Sequence, residues 1–315
     1  MPKSTVSWEV DRLPPQSVLL RQGVFDVLLA RSWEIPALLL EVGRVRELAF
    51  RMVGEGTGRR CDVDAFDEYY EHLILWDRER REVAGGYRLA RVAPTVARLG
   101  VRGLYTATLF HFTPALFSSL GPSLELGRSF VHPEYQRKPH SLLLLWKGIG
   151  RYLERHPECR VLFGPVSISG GFSQEARIEL TDYLRREVAA DETLRRHVRA
   201  RRPPKSRWLL SQRPAMEERS LDKIDELVRS VGGPAAERGI PVLLRQYLKL
   251  GGRVLACSTD KSFGGCLDAL MVVDLRRADR SRLDRMLGTS LSTGIGDSFG
   301  ASRTRHFDNA AVGVV

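Results

Sequence analysis

The stretch ELGRSFVHPEYQRKP, residues 125–139, decides the fold. It begins as an apolar run typical of a buried strand, yet it contains Glu125 and Arg128, whose charges burial penalises. It then turns through Gln-Arg-Lys-Pro, and the apolar spacing of SLLLLWKGIGRYLERH (141–156) predicts a helix. A strand that holds an acid and a base, and leads into a helix through a basic turn, indicates a site.

The spacing of these two charges raises a question of strand geometry. In a regular strand Glu125 and Arg128 point to opposite faces of the sheet. A bulge at Gly127 would shift the register and bring both side chains to one side. It would also leave a backbone N–H unpaired and free to bind a ligand oxygen. We therefore hypothesise a bulge at this glycine.

The segments before this strand predict alternating secondary structure. A first strand (23–32) precedes a helix (36–53), which has Pro36 at its start. Two further strands (72–77 and 83–92), joined by the charged turn RERRE, predict a hairpin. The elements predicted beyond the helix at 141–156 are a strand (160–169), a helix (173–189), a late helix (241–250) and two strands (253–258 and 267–275). This order indicates an α/β protein with a mixed sheet covered by helices.

The chain is predicted to divide into five parts. Thr193–Met216 contains no acid and eight Arg or Lys residues, which indicates a linker or arm. The parts are an N-terminal extension (1–22), an α/β core (23–190), a basic linker or arm (191–218), a C-terminal part of the same fold (219–288) and a flexible tail (289–315).

The composition is strongly basic, with a formal net charge of +11 and a pI near 9.8. Such a charge attracts nucleic acid, an anionic membrane or an acidic protein. No apolar run approaches the roughly 18 residues needed to span a bilayer, and the N-terminus has no signal-peptide pattern. We therefore expect a cytoplasmic location, with peripheral association at the inner face of the plasma membrane as an additional expectation.

Several common sites are missing from the sequence. The four cysteines are far apart and no histidine neighbours them at zinc spacing, which predicts reduced thiols and no metal. The stretch GPVSISGG (164–171) is not a G-x-S-x-G elbow, and the sequence has no P-loop or dinucleotide fingerprint.

A scattered polar set remains once these motifs are excluded. It consists of Asp64, Asp67, Arg88, Glu125 and Arg128. Such residues often form structural salt bridges. Here three charges lie on predicted strands beside two acids, and buried charges persist mainly when they are paired or functional. We therefore take this set as the candidate catalytic group.

The sequence resembles a known family at these positions. DVDAFDEYYEHLILWD, VAGGYRLARV, LELGRSFVHPEYQRKPHSLLLLWKGIGRYL and RVLFGPVSIS are similar to GNAT-fold N-acyltransferases of the ornithine-lipid, hemolysin-like type, and the resemblance covers about 23–275. A more distant similarity links the chain to acyl-homoserine-lactone synthases. The positions that match the synthase pattern in order are Arg46, Phe50, Asp64, Asp67, Arg88, Glu125 and Arg128.

The resemblance implies a GNAT-like mixed central sheet, completed by a C-terminal helix-strand-strand unit. It also implies transfer of a long-chain acyl group from acyl carrier protein to the amine of an ornithine-like amino acid. No tightly bound cofactor is expected, and the phosphopantetheine thioester of the carrier, or acyl-CoA, is the co-substrate. The partners implied are acyl carrier protein, a small amine and an anionic membrane surface, rather than nucleic acid.

The resemblance further implies roles for individual residues. The strand at 125–131 would be the central splayed strand along which the pantetheine lies. The donor-binding residues would be Phe130, Val131, Gln136, Arg137, Lys138, Ser167 and Ser169, and the carrier-protein surface would include Lys147 and Arg151.

Several alternatives stay open at this point. Glu125, or the Asp64/Asp67 pair through a water, would accept the proton of the amine. Arg88 or Arg128 would hold the substrate carboxylate. The rival functions are a lysophospholipid or other O-acyltransferase, and a non-enzymatic protein whose basic arm binds nucleic acid or a membrane.

Overall fold

The computed structural model describes residues 1–136, 140–204, 220–237 and 239–288. The strands in these ranges are β1 (Val18–Gln22), β2 (Phe25–Arg31), β3 (Glu71–Asp77), β4 (Glu82–Arg91), β5 (Phe110–Phe112), β6 (Ser123–Val131), β7 (Val161–Ile168), β8 (Val198–Ala200), β9 (Arg253–Asp260) and β10 (Cys266–Asp274). The helices are α1 (Lys3–Asp11), α2 (Pro36–Arg51), α3 (Val92–Leu99), α4 (Pro114–Leu120), α5 (His140–Arg155), α6 (Gln174–Arg186), α7 (Glu192–Arg195), α8 (Leu221–Val231), α9 (Val242–Lys249) and α10 (Arg280–Leu287). No helix within the described ranges has the length and apolar character to cross a bilayer.

Eight strands form one large sheet in the order β1-β2-β3-β4-β6-β7-β10-β9, and β5 pairs with β8 separately. Every neighbouring pair in the large sheet is antiparallel except β6 and β7. The predicted mixed sheet is therefore confirmed. The C-terminal unit of α9, β9 and β10 completes it, as predicted, because β10 pairs with β7 along its length.

Helices cover both faces of this sheet. One face packs on α5, α6, α8, α9 and α10 around a large apolar cluster. The opposite face packs on α1 and α2 over one half of the sheet, and on the α3–α4 segment over the other half. Because strand side chains alternate between faces, the polar residues of β4, β6, β7 and β10 lie together on the α2 side.

Strands β6 and β7 separate in the middle of the sheet. They pair only at Ser123↔Val161, Leu124↔Leu162 and Glu125↔Phe163. Beyond Glu125, β6 continues beside β4 and β7 continues beside β10. The predicted central splayed strand is therefore confirmed, and we call the space between the two strands beyond Glu125 the β6–β7 cleft.

Strand β6 contains the bulge that its charge spacing suggests. Arg88 lies opposite Gly127 and Gly86 lies opposite Phe130, so β6 has one more residue than β4 across this step. The extra residue follows Gly127, and Arg128 adopts a φ of 49°, which is uncommon for a non-glycine residue. The bulge reverses the alternation, so that Arg128 reaches the face on which Glu125 lies.

Two regions contain more structure than the sequence pattern predicted. Residues 1–22, expected as an extension, contain α1 and the edge strand β1. The part of the basic segment at 191–204 contains α7 and β8, because Leu194, Val198 and Ala200 pack on an apolar cluster. The remainder of the predicted arm, at 205–219, and the predicted tail at 289–315 lie outside the described residues.

The close approach of β6 and β7 gives a stability prediction. A Cβ added at Gly164 would overlap the carbonyl oxygen of Leu126, whereas a Cβ at Gly127 would meet nothing within 4 Å. Gly164→Ala should therefore lower the free energy of unfolding by about 1–3 kcal/mol, while Gly127→Ala, the matched control, should have little effect. Urea denaturation of both variants measures the difference. Equal stabilities would contradict this account of the strand junction.

Candidate active site

Six charged residues form a buried network on the α2 side of the sheet. We call it the Arg–Asp network. Its members are Arg46 of α2, Arg88 of β4, Arg128 of β6, and Asp62, Asp64 and Asp67 of the loop before β3. Three guanidinium groups face three carboxylates, so the network is balanced in charge.

Asp67 lies at the centre of this network. Its two carboxylate oxygens accept hydrogen bonds from Arg46 Nη1 and Nη2 at 3.1 and 2.9 Å, and Arg88 Nη1 lies 3.2 Å from Oδ2. Arg46 Nε also lies 2.8 Å from Asp62 Oδ2. Such bidentate contacts are the strongest geometry for an arginine–carboxylate pair.

The D-x-x-D spacing has a local cause. Asp64 is the N-cap of a 3-10 turn, Ala65–Glu68, in which Asp67 is the third residue, and each carboxylate accepts a backbone N–H at the start of that turn. Asp64 accepts from Phe66 N at 2.9 Å, and Asp67 accepts from Asp64 N at 2.9 Å. This reciprocal capping fixes both carboxylates before they contact the arginines.

Burial and ion pairing have opposite effects on the pKa values of Asp67 and Arg88. Burial alone would raise the pKa of Asp67, but Arg88 and Arg46 outweigh it and hold that pKa well below its ordinary range. Burial likewise opposes the charge of Arg88, but Asp67 and Asp64 raise its pKa. Asp67 and Arg88 are therefore both ionised at neutral pH.

Aromatic rings surround the two inner arginines. Arg88 Cζ lies 5.2–5.5 Å from the ring centroids of Phe66, Tyr70 and Tyr105. Arg128 Cζ lies 4.8 Å from the Tyr105 ring. Its Nη1 also donates to the Tyr105 hydroxyl at 3.1 Å. The rings exclude water and stabilise the buried charges by cation–π contact.

Glu125 is fully buried beside this network, at the last residue pair before β6 and β7 separate. The Tyr70 hydroxyl donates to its Oε2 and the Thr106 N–H donates to its Oε1 at 2.8 Å. Burial raises its pKa, and these two hydrogen bonds and the charge of Arg88 only partly oppose that effect. Glu125 is thus a carboxylate with an increased proton affinity, next to the cleft.

A second acidic group, which the sequence did not predict as catalytic, lies on the same face beyond Arg128. Asp268 of β10 is buried and accepts from the Ser167 hydroxyl at 2.7 Å. Burial raises its pKa to about 7, and burial with the nearby Asp268 raises the pKa of Glu55 to about 8. The available signal was one acid inside the apolar run CLDALMVVD, which becomes informative only once β10 is known to pair with β7.

The structure brings together Asp64, Asp67, Arg88, Glu125 and Arg128. The predicted donor-binding residues, in contrast, lie on different faces of the sheet. Phe130 is packed in the apolar cluster under α2, and Val131 packs on the opposite cluster. Ser169 is buried and accepts the N–H of Gly171 at 3.1 Å.

The predicted basic surface is only partly described. Gln136 Nε2 donates to the Val131 carbonyl at 3.1 Å. On α5, Lys147 Nζ donates to Gln22 and Arg151 pairs with Glu154. Arg137 and Lys138 lie outside the described residues.

This fold and site define a GNAT-like protein, and residues 45–147 match the family described as acetyltransferase (GNAT) domain. The chain is 30% identical over 250 residues to the L-ornithine Nα-acyltransferase of Rhizobium meliloti. The aligned residues cover 76% of this chain and 77% of that protein. It is 34% identical over 170 residues to the glycine Nα-acyltransferase of Bacteroides thetaiotaomicron, half the length of each. The chain belongs to the family of amino-acid Nα-acyltransferases that contains the ornithine enzymes.

The chain spans about half the length of the curated glycine relatives that it matches, at 50% and 55%. A solved structure described as the AHL synthase LasI aligns over 85% of this chain and 96% of its own, at 12% identity and a TM-score of 0.43.

The central position of Asp67 gives a second stability prediction. Asp67→Asn should destabilise the protein by about 3–5 kcal/mol at pH 7, because Arg46 and Arg88 would lose a fully buried counter-charge. Asp64→Asn is the matched control and should cost about 1–2 kcal/mol, because the Asp64 side chain is 25% exposed. Urea denaturation at pH 7 measures both.

The lowered pKa of Asp67 also predicts that the free energy of unfolding depends on pH. Because the folded-state pKa of Asp67 lies below its unfolded value, its contribution is complete above the unfolded pKa and is lost as the pH falls through the folded pKa. The stability difference between wild type and Asp67→Asn should therefore shrink on acidification. A difference that does not change between neutral and strongly acidic pH would refute the ionised assignment.

Proposed function

We propose that this protein is an N-acyltransferase that moves a fatty acyl group from a thioester donor to the α-amine of a small amino acid. The observation that carries the proposal is the position of Glu125: a buried carboxylate of raised pKa at the point where β6 and β7 part. The names of the curated relatives, which act on glycine or L-ornithine, support the same reaction class.

The reaction needs a neutral amine, and an α-amino group titrates near pH 8. In the proposed step the amine nitrogen attacks the thioester carbon, the C–S bond breaks and the sulfur leaves as a thiolate. Glu125 accepts the proton that the nitrogen loses, and its raised pKa brings its proton affinity closer to that of the amine. The proton then neutralises the departing thiolate.

The splayed strands are suited to the donor. A phosphopantetheine arm is extended and would lie along the open edge of β6, where β7 no longer occupies the hydrogen-bonding positions. The bulge after Gly127 supplies an unpaired backbone N–H, which would stabilise the oxyanion of the tetrahedral intermediate.

The acceptor carboxylate requires a cation, and Arg88 and Arg128 are the candidates. Among the described residues, Arg88 Nε and Nη2 have no hydrogen-bond partner, and these two groups lie on one edge of the guanidinium. In Arg128 only Nε lacks a hydrogen bond, and it lies 3.1 Å from Asp62 Oδ2, while Nη1 and Nη2 donate to Tyr105 and Asp64. We therefore propose Arg88 as the carboxylate ligand.

The donor, partners and location are finer proposals. We propose a long-chain acyl group carried by acyl carrier protein, with Arg137, Lys138, Lys147 and Arg151 attracting that acidic protein. The net charge of +11 supports attraction to an anionic membrane that receives the product, and hence a peripheral position at the cytoplasmic face.

A direct assay tests the function. Purified protein is incubated with acyl carrier protein loaded with a long-chain acyl group, together with glycine, ornithine or lysophospholipid. Mass spectrometry should detect N-acyl amino acid and equivalent release of free carrier thiol. Acylation of the lysophospholipid hydroxyl alone would favour the O-acyltransferase rival, and release of thiol without any acylated acceptor would refute the transfer.

Replacement of the proposed base gives a fourth prediction. Glu125→Gln should keep the shape of the side chain but reduce acyl transfer by roughly 100-fold or more. Glu71→Gln is a matched control, because Glu71 also lies on a strand and accepts from a tyrosine hydroxyl, Tyr152, at 2.6 Å. Steady-state kinetics should show near-normal turnover for this control. Near-normal turnover in folded Glu125→Gln would show that Glu125 is not the general base, and Asp64 with Asp67, or Asp268, would then be the candidates.

The donor gives a fifth prediction. Arg137→Glu with Lys138→Glu should raise KM for acylated carrier protein and reduce its salt sensitivity, because attraction to the acidic carrier would be lost. Acyl-CoA has no protein surface and should be affected less. Arg276→Glu with Arg277→Glu, an exposed basic pair after β10, is the control. Efficient wild-type turnover with acyl-CoA alone would refute dependence on the carrier.

A further inference from the structure

Exposed apolar side chains are concentrated in one part of this chain. Among the described residues nine large hydrophobic side chains are exposed, and seven of them lie within residues 1–53. Those seven are Met1, Trp8, Trp33, Leu40, Leu48, Met52 and Val53. The other two, Leu99 and Val242, lie far away in sequence. Scattered exposed hydrophobics need no explanation, but a cluster of this kind indicates an interaction surface.

These residues lie on or directly beside a pair of packed helices, α1 and α2. Glu9 of α1 accepts hydrogen bonds from the N–H groups of Ala37 and Leu38 at 2.8 and 2.7 Å, which docks α1 on the first turn of α2. Trp8 of α1 and Trp33, just before α2, are therefore near the same end of that helix, and they are 57% and 66% exposed.

The exposed residues continue along α2. Leu40 and Leu48 are two turns apart on its outer side, and Met52 and Val53 follow at its end. We call the surface formed by Trp8, Trp33, Leu40, Leu48, Met52 and Val53 the α1–α2 face.

Cations accompany the aromatic rings of this face. Arg12 Cζ lies 4.5 Å from the Trp8 ring centroid, and Arg31 Cζ lies 5.4 Å from that of Trp33. The exposed charged residues of α1, α2 and the adjoining turns are mainly basic. They are Lys3, Arg12, Arg44, Arg51, Arg59 and Arg60, against Asp11 and Glu34.

We propose that the α1–α2 face docks on an anionic lipid bilayer. This inference rests on the proposed function. Tryptophan rings and basic side chains are the combination that occupies the headgroup region of a membrane, where the ring is partly buried and the cation meets lipid phosphate. Charge complementarity with anionic lipid therefore accounts for the two features together.

The position of this face relative to the site supports the same inference. The inward side of α2 carries Arg46 of the Arg–Asp network and Phe50, whose ring packs on Phe263 at 4.9 Å. The turn after α2 packs on the end of β7, because a Cβ at Gly54 would lie 3.0 Å from Ser169 Oγ. Met52 and Val53 thus lie next to the open end of the β6–β7 cleft, from which an acylated product could pass directly into lipid.

Vesicle binding tests the proposal. The full chain in a Trp208→Phe background is mixed with vesicles of phosphatidylcholine, or of equal parts phosphatidylcholine and phosphatidylglycerol. Because Trp76 and Trp146 are buried, the exposed tryptophans of the described residues are then Trp8 and Trp33. We expect sedimentation with the anionic vesicles, weakened by salt, and a blue shift of tryptophan emission. Failure to bind anionic vesicles would overturn the proposal.

Paired variants locate the surface. Trp8→Ser with Trp33→Ser should reduce partitioning into anionic vesicles by roughly 10-fold or more, and Leu48→Ser with Met52→Ser should reduce it in the same direction. Leu99→Ser with Val242→Ser is the matched control, because these exposed apolar residues lie elsewhere, and it should bind like wild type. Thermal unfolding of each variant checks that the fold is retained. Equal losses in the control pair would overturn the assignment of this face.

Two other occupants of the α1–α2 face would give different results with the same variants. Loss of carrier-protein binding, with unchanged vesicle binding, would make the face a protein-docking surface and overturn the proposal. A change from dimer to monomer in the Trp variants, again with unchanged vesicle binding, would assign it to a second copy of the chain. Acyl transfer between soluble substrates, measured without vesicles, should be unaffected by these variants. Its failure in the wild type would refute the proposed function separately.

Discussion

The pairing of buried Asp67 with Arg46 and Arg88 is the interaction on which the rest of the structure depends. A carboxylate at this depth stays ionised only when opposite charges compensate its lost hydration, and two guanidinium groups do so here. The contact joins α2 to β4 through the loop that precedes β3, so the helix cannot shift over the sheet without separating charges. Helix α2 is therefore held at a fixed distance from the cleft.

The interruption of the sheet at β6 also positions residues of the site. The bulge turns Arg128 toward the network, and Glu125 lies at the last residue pair before β6 and β7 separate. Continuous strands on both sides keep this gap from closing, because β4 and β10 each retain a full antiparallel partner. A rigid sheet with one opening is suited to a reaction in which an extended donor must meet a positioned amine.

Helix α2 links this chemistry to the outer surface. Its inner side is polar where it meets the network and apolar where it meets the sheet, and its narrow outer side exposes leucine beside arginine. A structural ion pair thus fixes the orientation of a surface that faces away from it. In this arrangement the outer face and the cleft cannot change their relative orientation without breaking Asp67 from its partners.

Much of this protein follows from local patterns. The hairpin, the helix after Pro36, the late helix with its two strands, and the D-x-x-D and E-x-x-R spacings were predictable, because periodicity and turn chemistry act over a few residues. Helix α1, strands β1 and β8, and the role of Asp268 were not predictable. A short edge strand or a single acid in an apolar run has meaning only beside its partner, and Asp268 meets Ser167 across 101 positions of sequence. The sequence by itself determined which residues carry charge and where the chain turns. Only the tertiary structure decided which charges meet, because a buried ion pair requires both partners to leave water together, and that occurs only when the sheet and α2 close over them.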